Sequence, residues 1–86
     1  MDISIVIPVY NEEGALPELY RALADTLDRL PQAAEIIFAD DGSRDGSAAA
    51  LDAFARGDRR VRVLHMSRNY GQTAALMRGF RAARAT

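Results

Sequence analysis

Three short polar segments hold most of the side chains in this sequence that could do chemistry. They are Pro8-Val9-Tyr10-Asn11-Glu12, Asp40-Asp41-Gly42-Ser43-Arg44-Asp45-Gly46 and Ser67-Arg68-Asn69-Tyr70-Gly71. The chemistry they suit is the holding of a polar ligand. The Tyr10 ring could pack on a base or sugar, or support a neighbouring helix from a half-buried position. Glu12 could accept hydrogen bonds from a base or ribose, or place a favourable charge at a helix N-terminus. Asp41 is better placed, because an acid just past a strand end can take ribose hydroxyls or a base N–H. Asp40 reads as a structural acid bonding loop amides. Arg68 could meet a phosphate through its planar fork or form a surface ion pair. Asn69 and Gly71 read as loop formers. His65, the only histidine, reads as a half-buried sheet residue.

Several chemistries are excluded. Gly14 is the only glycine of the first loop, so the G-x-G-x-x-G pyrophosphate grip is missing, and no G-x-x-x-x-G-K-[ST] occurs. No Ser/His/Asp or Cys/His set is present, and no residue is assigned a catalytic role. With no cysteine there is neither a disulfide framework nor a thiolate metal site, which fits a reducing compartment. A net charge of −1 from 11 basic residues, all arginine, and 12 acidic ones argues against a nucleic-acid partner. Arg59, Arg60 and Arg62 form the one tight basic group and read as a solvated turn before a strand. No apolar run approaches the roughly 20 residues of a membrane helix, and the N-terminus lacks a signal-peptide pattern. The expectation is a soluble, cytoplasmic chain.

The loops need elements to position them. Ile3 to Ile7 reads as a strand buried on both faces and ended by Pro8. Leu16, Leu19, Tyr20, Leu23, Leu27 and Leu30 recur on one helical face, with Pro17 in the first turn and Pro31 beyond the end. Glu35 to Ala39 is a second strand. Asp45 suits the N-cap of a second helix running to about Arg56, with Ala50, Leu51 and Phe54 inward. Val61 to Met66 is a third strand. A third helix from about Gln72 to Arg84 turns Ala74, Met77 and Phe80 inward. The βαβαβα order of an α/β chain argues for a Rossmann-like, three-layer domain with a parallel sheet and strand order 3-2-1. All three polar loops then lie beyond the carboxyl ends of the strands, where open parallel sheets bind ligands. The first strand would sit at an apolar edge, an aggregation hazard unless a fourth strand covers it. On these grounds the sequence reads as part of a larger sheet.

Taken together, Ile5-Val6-Ile7-Pro8-Val9-Tyr10-Asn11-Glu12, Asp40 to Gly46, and Arg68-Asn69-Tyr70-Gly71-Gln72 resemble family 2 glycosyltransferases of the GT-A fold. The third piece, with Met77-Arg78-Gly79-Phe80, is most similar to the polyprenyl-phosphate branch, which includes dolichol-phosphate mannosyltransferases and the undecaprenyl-phosphate sugar transferases. The resemblance implies that Pro8, Tyr10 and Glu12 line the nucleotide's base and ribose. It implies that Asp41 binds the nucleotide and that Ala39 touches it from the strand end. Gln72 stands where some relatives carry a basic residue, so no phosphate-binding charge is carried over there. The implied donor is a UDP- or GDP-sugar and the implied acceptor a lipid phosphate. The family's D-x-D carboxylates, which hold Mg²⁺ or Mn²⁺, end a fourth strand, whereas this sequence stops at Thr86. Residues 1–86 therefore read as a partial GT-A nucleotide-sugar-binding domain that holds no metal and is inactive alone, from a parent at the cytoplasmic face of the membrane.

Two other classes stay open. A non-catalytic nucleotide-binding or interaction module could keep the fold without the chemistry. A phosphoacceptor signalling domain also clusters aspartates at strand ends, but it needs an acid after the third strand, where Ser67-Arg68-Asn69 stands.

Overall fold

Ala34–Asp40 (β2) is buried along its whole length, and Ile3–Val9 (β1) and Val61–His65 (β3) flank it in parallel. This computed structural model describes residues 1–85. Helices Leu16–Asp28 (α1), Ser47–Gly57 (α2) and Gln72–Ala82 (α3) alternate with the strands, and the sheet order is β1-β2-β3. That is the expected α/β topology, with β1 at an edge.

The register fixes which residues share a face. Ile3, Ile5 and Ile7 of β1 lie beside Ala34, Ile36 and Phe38 of β2, and Val61 and Val63 of β3 continue the row. This face packs against Leu16, Tyr20, Leu23 and Leu27 of α1 and Leu51 and Phe54 of α2. Tyr20 stacks on Phe54 with ring centroids 4.4 Å apart. The Tyr20 hydroxyl donates to Asp58, whose carboxylate also takes the Arg60 guanidinium. The opposite face carries Ser4 and Val6 of β1, Glu35, Ile37 and Ala39 of β2, and Arg62 and Leu64 of β3. There α3 lies across β1 and β2.

Several expectations need correction. β1 extends through Pro8 to Val9, and its first six residues are half-buried rather than buried on both faces. An edge strand has one free side and tolerates a proline there. Leu30 lies past the end of α1 and is exposed. The cap position of α2 is Gly46, not Asp45. Arg60 and Arg62 are not a solvated group: Arg60 pairs with Asp28 and Asp58, and Arg62 with buried Glu35.

In α3 the inward residues are Ala75 and Gly79, while Met77 and Phe80 are exposed. The cause is the close approach of α3 to β1. A Cβ on Gly79 would collide with Val6 Cγ1, so only small residues fit that face. Alanine is the better helix former by about 1 kcal/mol, yet Gly79→Ala is expected to lower stability by about 1–2 kcal/mol because the stiff valine must move. Urea denaturation of Gly79→Ala and of the Val6→Ala/Gly79→Ala pair checks this. The double variant should recover most of the loss.

The helix also ends two residues before Arg84. The Arg84 amide donates to Glu35 Oε2 at 2.7 Å, and the Arg62 guanidinium, 2.9 Å from Glu35 Oε1, also donates to the Ala82 carbonyl. Ser4 Oγ adds a 2.6 Å bond to the same carboxylate. One buried acid thus joins all three strands to the end of α3.

Candidate functional site

The three polar loops meet at the carboxyl edge of the sheet because parallel strands all end there. Loop 1 (residues 10–15) follows β1, loop 2 (41–46) follows β2 and loop 3 (66–71) follows β3. They are fastened to one another mainly by side chain to backbone hydrogen bonds.

Asp41 fastens loop 2 to loop 3. It is 2% exposed. Its carboxylate accepts from the Tyr70 amide at 2.8 Å, the Gly71 amide at 2.9 Å and the Asn69 side-chain amide at 2.9 Å. Its own N–H donates to the Val9 carbonyl at 2.8 Å. Gly42 follows with φ of +74°, and a Cβ there would meet loop 3 backbone, with Asn69 N at 2.6 Å and Arg68 Cα at 2.7 Å. The left-handed angle and the lack of space both call for glycine.

Loop 1 is fastened by five bonds, four to loop 2 and one to Ser47 at the start of α2. The amides of Asn11, Glu12 and Glu13 donate to Ser43 Oγ, Ser47 Oγ and Asp45 Oδ2 at 3.0, 3.0 and 3.2 Å. In return the Arg44 amide donates to Asn11 Oδ1 at 2.8 Å and the Gly46 amide to Glu13 Oε1 at 3.0 Å. Asn11 sits at φ of +51°, a left-handed conformation that asparagine tolerates better than most residues. Asp45 also accepts the Ser47 amide at 2.9 Å, and its bonds to Ser47, chiefly, hold its carboxyl below the usual range.

Behind loop 2, Asp40 is buried. It accepts the Ser43 amide and contacts His65 Nδ1 at 2.9 Å, and His65 Nε2 lies 2.7 Å from Asp52. Bonding to Asp52 and then Asp40 raises the histidine pKa against the effect of burial. His65 is therefore a bridge between β2 and α2, at the exposed end of its strand.

A cavity of 340 Å³ opens between the loops, lined by Pro8, Val9, Tyr10, Glu12, Asp41, Asn69, Gly71 and Gln72. Pro8, Tyr10, Glu12 and Asp41 are thus brought to one cavity. Ala39 is not: it is fully buried under α3 and has no surface to offer a ligand. Arg68 lies outside this cavity too, its guanidinium 4.8 Å from the centre of the Tyr70 ring, on the wall of a neighbouring hollow with Arg44. Asn69, Gly71 and Gln72 join the lining although their sequence reading was no more than loop formation or the absence of a charge. Their signal is the Asp41 carboxylate, which draws loop 3 over the end of β1. A larger cavity of 660 Å³ lies between β3 and α3, away from loop 1.

Among the described residues, no three acidic or histidine side chains gather to hold a metal ion. No described helix is long and apolar enough to cross a membrane.

The chain is similar to several known proteins. An undecaprenyl-phosphate 4-deoxy-4-formamido-L-arabinose transferase of Pseudomonas fluorescens is 52% identical over 83 residues, which are 95% of this chain and 24% of that protein. The transferase of the same name from Sodalis glossinidius is 52% identical over 80 residues, covering 91% of this chain and 24% of its own length. The chain thus spans about a quarter of these curated relatives. A crystal structure of S. aureus TarS, residues 1–349, superposes with a TM-score of 0.83 at 22% identity, covering 99% of this chain and 25% of that one, and so shares the fold. The family model described as glycosyl transferase family 2 matches residues 4–86, and the chain belongs to that family.

Proposed function

We propose that residues 1–86 are the nucleotide-sugar-binding part of a glycosyltransferase that moves a sugar from a nucleotide diphosphate donor to a polyprenyl phosphate. In that reaction a lipid phosphate oxygen bonds to the anomeric carbon as the bond from that carbon to the donor diphosphate breaks. The observation that carries the reading is the 340 Å³ cavity at the sheet's carboxyl edge, which has Tyr10 and Glu12 exposed on one side and the Asp41-braced loop on the other. The base and ribose of UDP or GDP go here, with the Tyr10 ring against a flat face and the Glu12 carboxylate on hydroxyl or N–H donors. The relatives' names support the acceptor class, and a polyprenyl lipid acceptor favours a parent that works at a membrane surface, on its cytoplasmic face. Metal binding and acceptor binding belong to parts of the parent outside these residues.

The test is an NMR titration of the ¹⁵N-labelled chain with UDP and with GDP. One of the two should shift the Tyr10, Glu12 and Gly71 amides with a Kd on the order of millimolar, as befits few contacts. Glu12→Ala should weaken binding about tenfold through the loss of a charged acceptor. No sugar transfer is expected from this chain alone. Shifts confined to the cavity between β3 and α3 would sink the proposed site.

A further inference from the structure

Asn11 and Ser47 lie outside the wall of the 340 Å³ cavity, yet both belong to the bonds that hold loop 1. We infer that they are positioning residues for nucleotide binding: the clasp between loops 1 and 2 sets where Tyr10 and Glu12 stand. This rests on the nucleotide-binding reading of the cavity and names the residues that build its loop 1 wall.

The clasp has a direction. Three consecutive amides of loop 1 donate outward to side chains of loop 2 and of Ser47 at the start of α2, so no turn of loop 1 itself satisfies them. Left free, they would turn to water, and the loop would sample many conformations and have to be re-ordered, at an entropic cost, on binding. Ser47 is the fixed point, with no exposure and its hydroxyl 3.0 Å from the Glu12 amide. Asn11 is the hinge. Its left-handed backbone bends the chain after Tyr10, and its side chain holds that bend by accepting the Arg44 amide. Tyr10 and Glu12 flank this hinge directly, so both side chains move if it opens. Both are exposed and have no hydrogen bond of their own side chains to hold them in place among those described. Their positions are inherited from the backbone, and the backbone's from the clasp. A pre-ordered wall avoids the ordering cost at the moment of binding.

The substitutions that test this keep the backbone angle and change only the bond. Asn11→Gly allows the positive φ and removes the acceptor, whereas Asn11→Asp keeps an acceptor for the Arg44 amide. UDP and GDP titrations are followed by amide shifts of the labelled chain, with thermal denaturation alongside. The expected result is about tenfold weaker nucleotide binding for Asn11→Gly and binding within about threefold of the parent for Asn11→Asp. Amide exchange at Glu12 and Glu13 should speed up in the first and not in the second. Ser47→Ala is the second route and should behave as Asn11→Gly does, with Glu12 exchange the most affected. Equal affinity for the parent chain and for both Asn11→Gly and Ser47→Ala overturns the positioning role and leaves the nucleotide site standing. Failure of the unsubstituted chain to bind either nucleotide overturns both together.

Discussion

Asp41→Ala is expected to release loop 3 from the sheet and abolish measurable nucleotide binding. The substitution leaves the Tyr70 and Gly71 amides and the Asn69 side-chain amide without the carboxylate they share. Each unsatisfied buried group costs about 1–3 kcal/mol. Loop 3 can limit that cost by swinging out to water, so the global loss should settle near 2–3 kcal/mol with a large local change. Hydrogen exchange measures the local part: Tyr70 and Gly71 should lose their protection while amides in the middle of β2 keep most of theirs. The same experiment separates two roles for this acid. Its carboxylate already receives three donors, which leaves little capacity for a ligand's hydroxyl or N–H. If Asp41 acts chiefly as a brace, lost binding and lost protection arrive together. Binding lost while Tyr70 and Gly71 stay protected would show that the carboxylate touches the nucleotide itself.

Glu35→Gln should be the most destabilising single change on the α3 side of the sheet, at about 3 kcal/mol. Glu35 is 1% exposed and receives Ser4, Arg62 and the Arg84 amide. An amide of the same shape would turn its own NH₂ toward one of these donors and leave Arg62 without its countercharge. For a chain of this size the loss corresponds to a fall in Tm of roughly 12–24 °C. Burial on its own would raise the Glu35 pKa, but hydrogen bonds from Ser4, the Arg84 amide and Arg62 outweigh it and bring it from 4.5 down to about 2. The sign follows from that depression. The contribution of the carboxylate is complete above pH 4.5, where the unfolded chain is also ionised, and disappears as pH falls through about 2. Urea denaturation at several pH values should therefore show parent and variant far apart at pH 6 and converging toward pH 2. A gap that stays constant across that range would mean the loss is one of shape and not of charge.

The sequence made the strand order and the meeting of the three loops legible, because periodicity and turn chemistry are local and a parallel sheet has few ways to arrange three βα units. Pro8, Tyr10, Glu12 and Asp41 could be placed on one rim from topology alone. What escaped depends on register. The partners of Glu35 are set by which residues of β1 and β3 lie across from it, and nothing local marks the middle of a hydrophobic strand as an ion-pair hub. Arg60 and Arg62, adjacent to a turn, have the composition of a solvated group until their acids arrive from α1, the turn after α2 and β2. The inward face of α3 was missed for a different reason. Choosing the largest apolar residues favours Met77 and Phe80, whereas a helix crossing β1 closely selects Ala75 and Gly79. The resemblance implies a ligand contact for Ala39, but the residue is fully buried on the face that α3 covers.

The parallel register also bears on how the site comes into being during folding. Ser4 and Glu35 are bonded across 31 residues, and Asp40 and His65 across 25. No hairpin nucleates this sheet, so every strand pairing must first close a long loop, and such topologies fold slowly for their size. The bonds that shape the cavity span 32, 35 and 29 residues, from Asn11 to Ser43, Glu12 to Ser47 and Tyr70 to Asp41. The first two require β1 beside β2 and the third requires β3 beside β2, so the complete cavity, and with it competence to bind a ligand, is a late event reached after the hydrophobic sheet already exists.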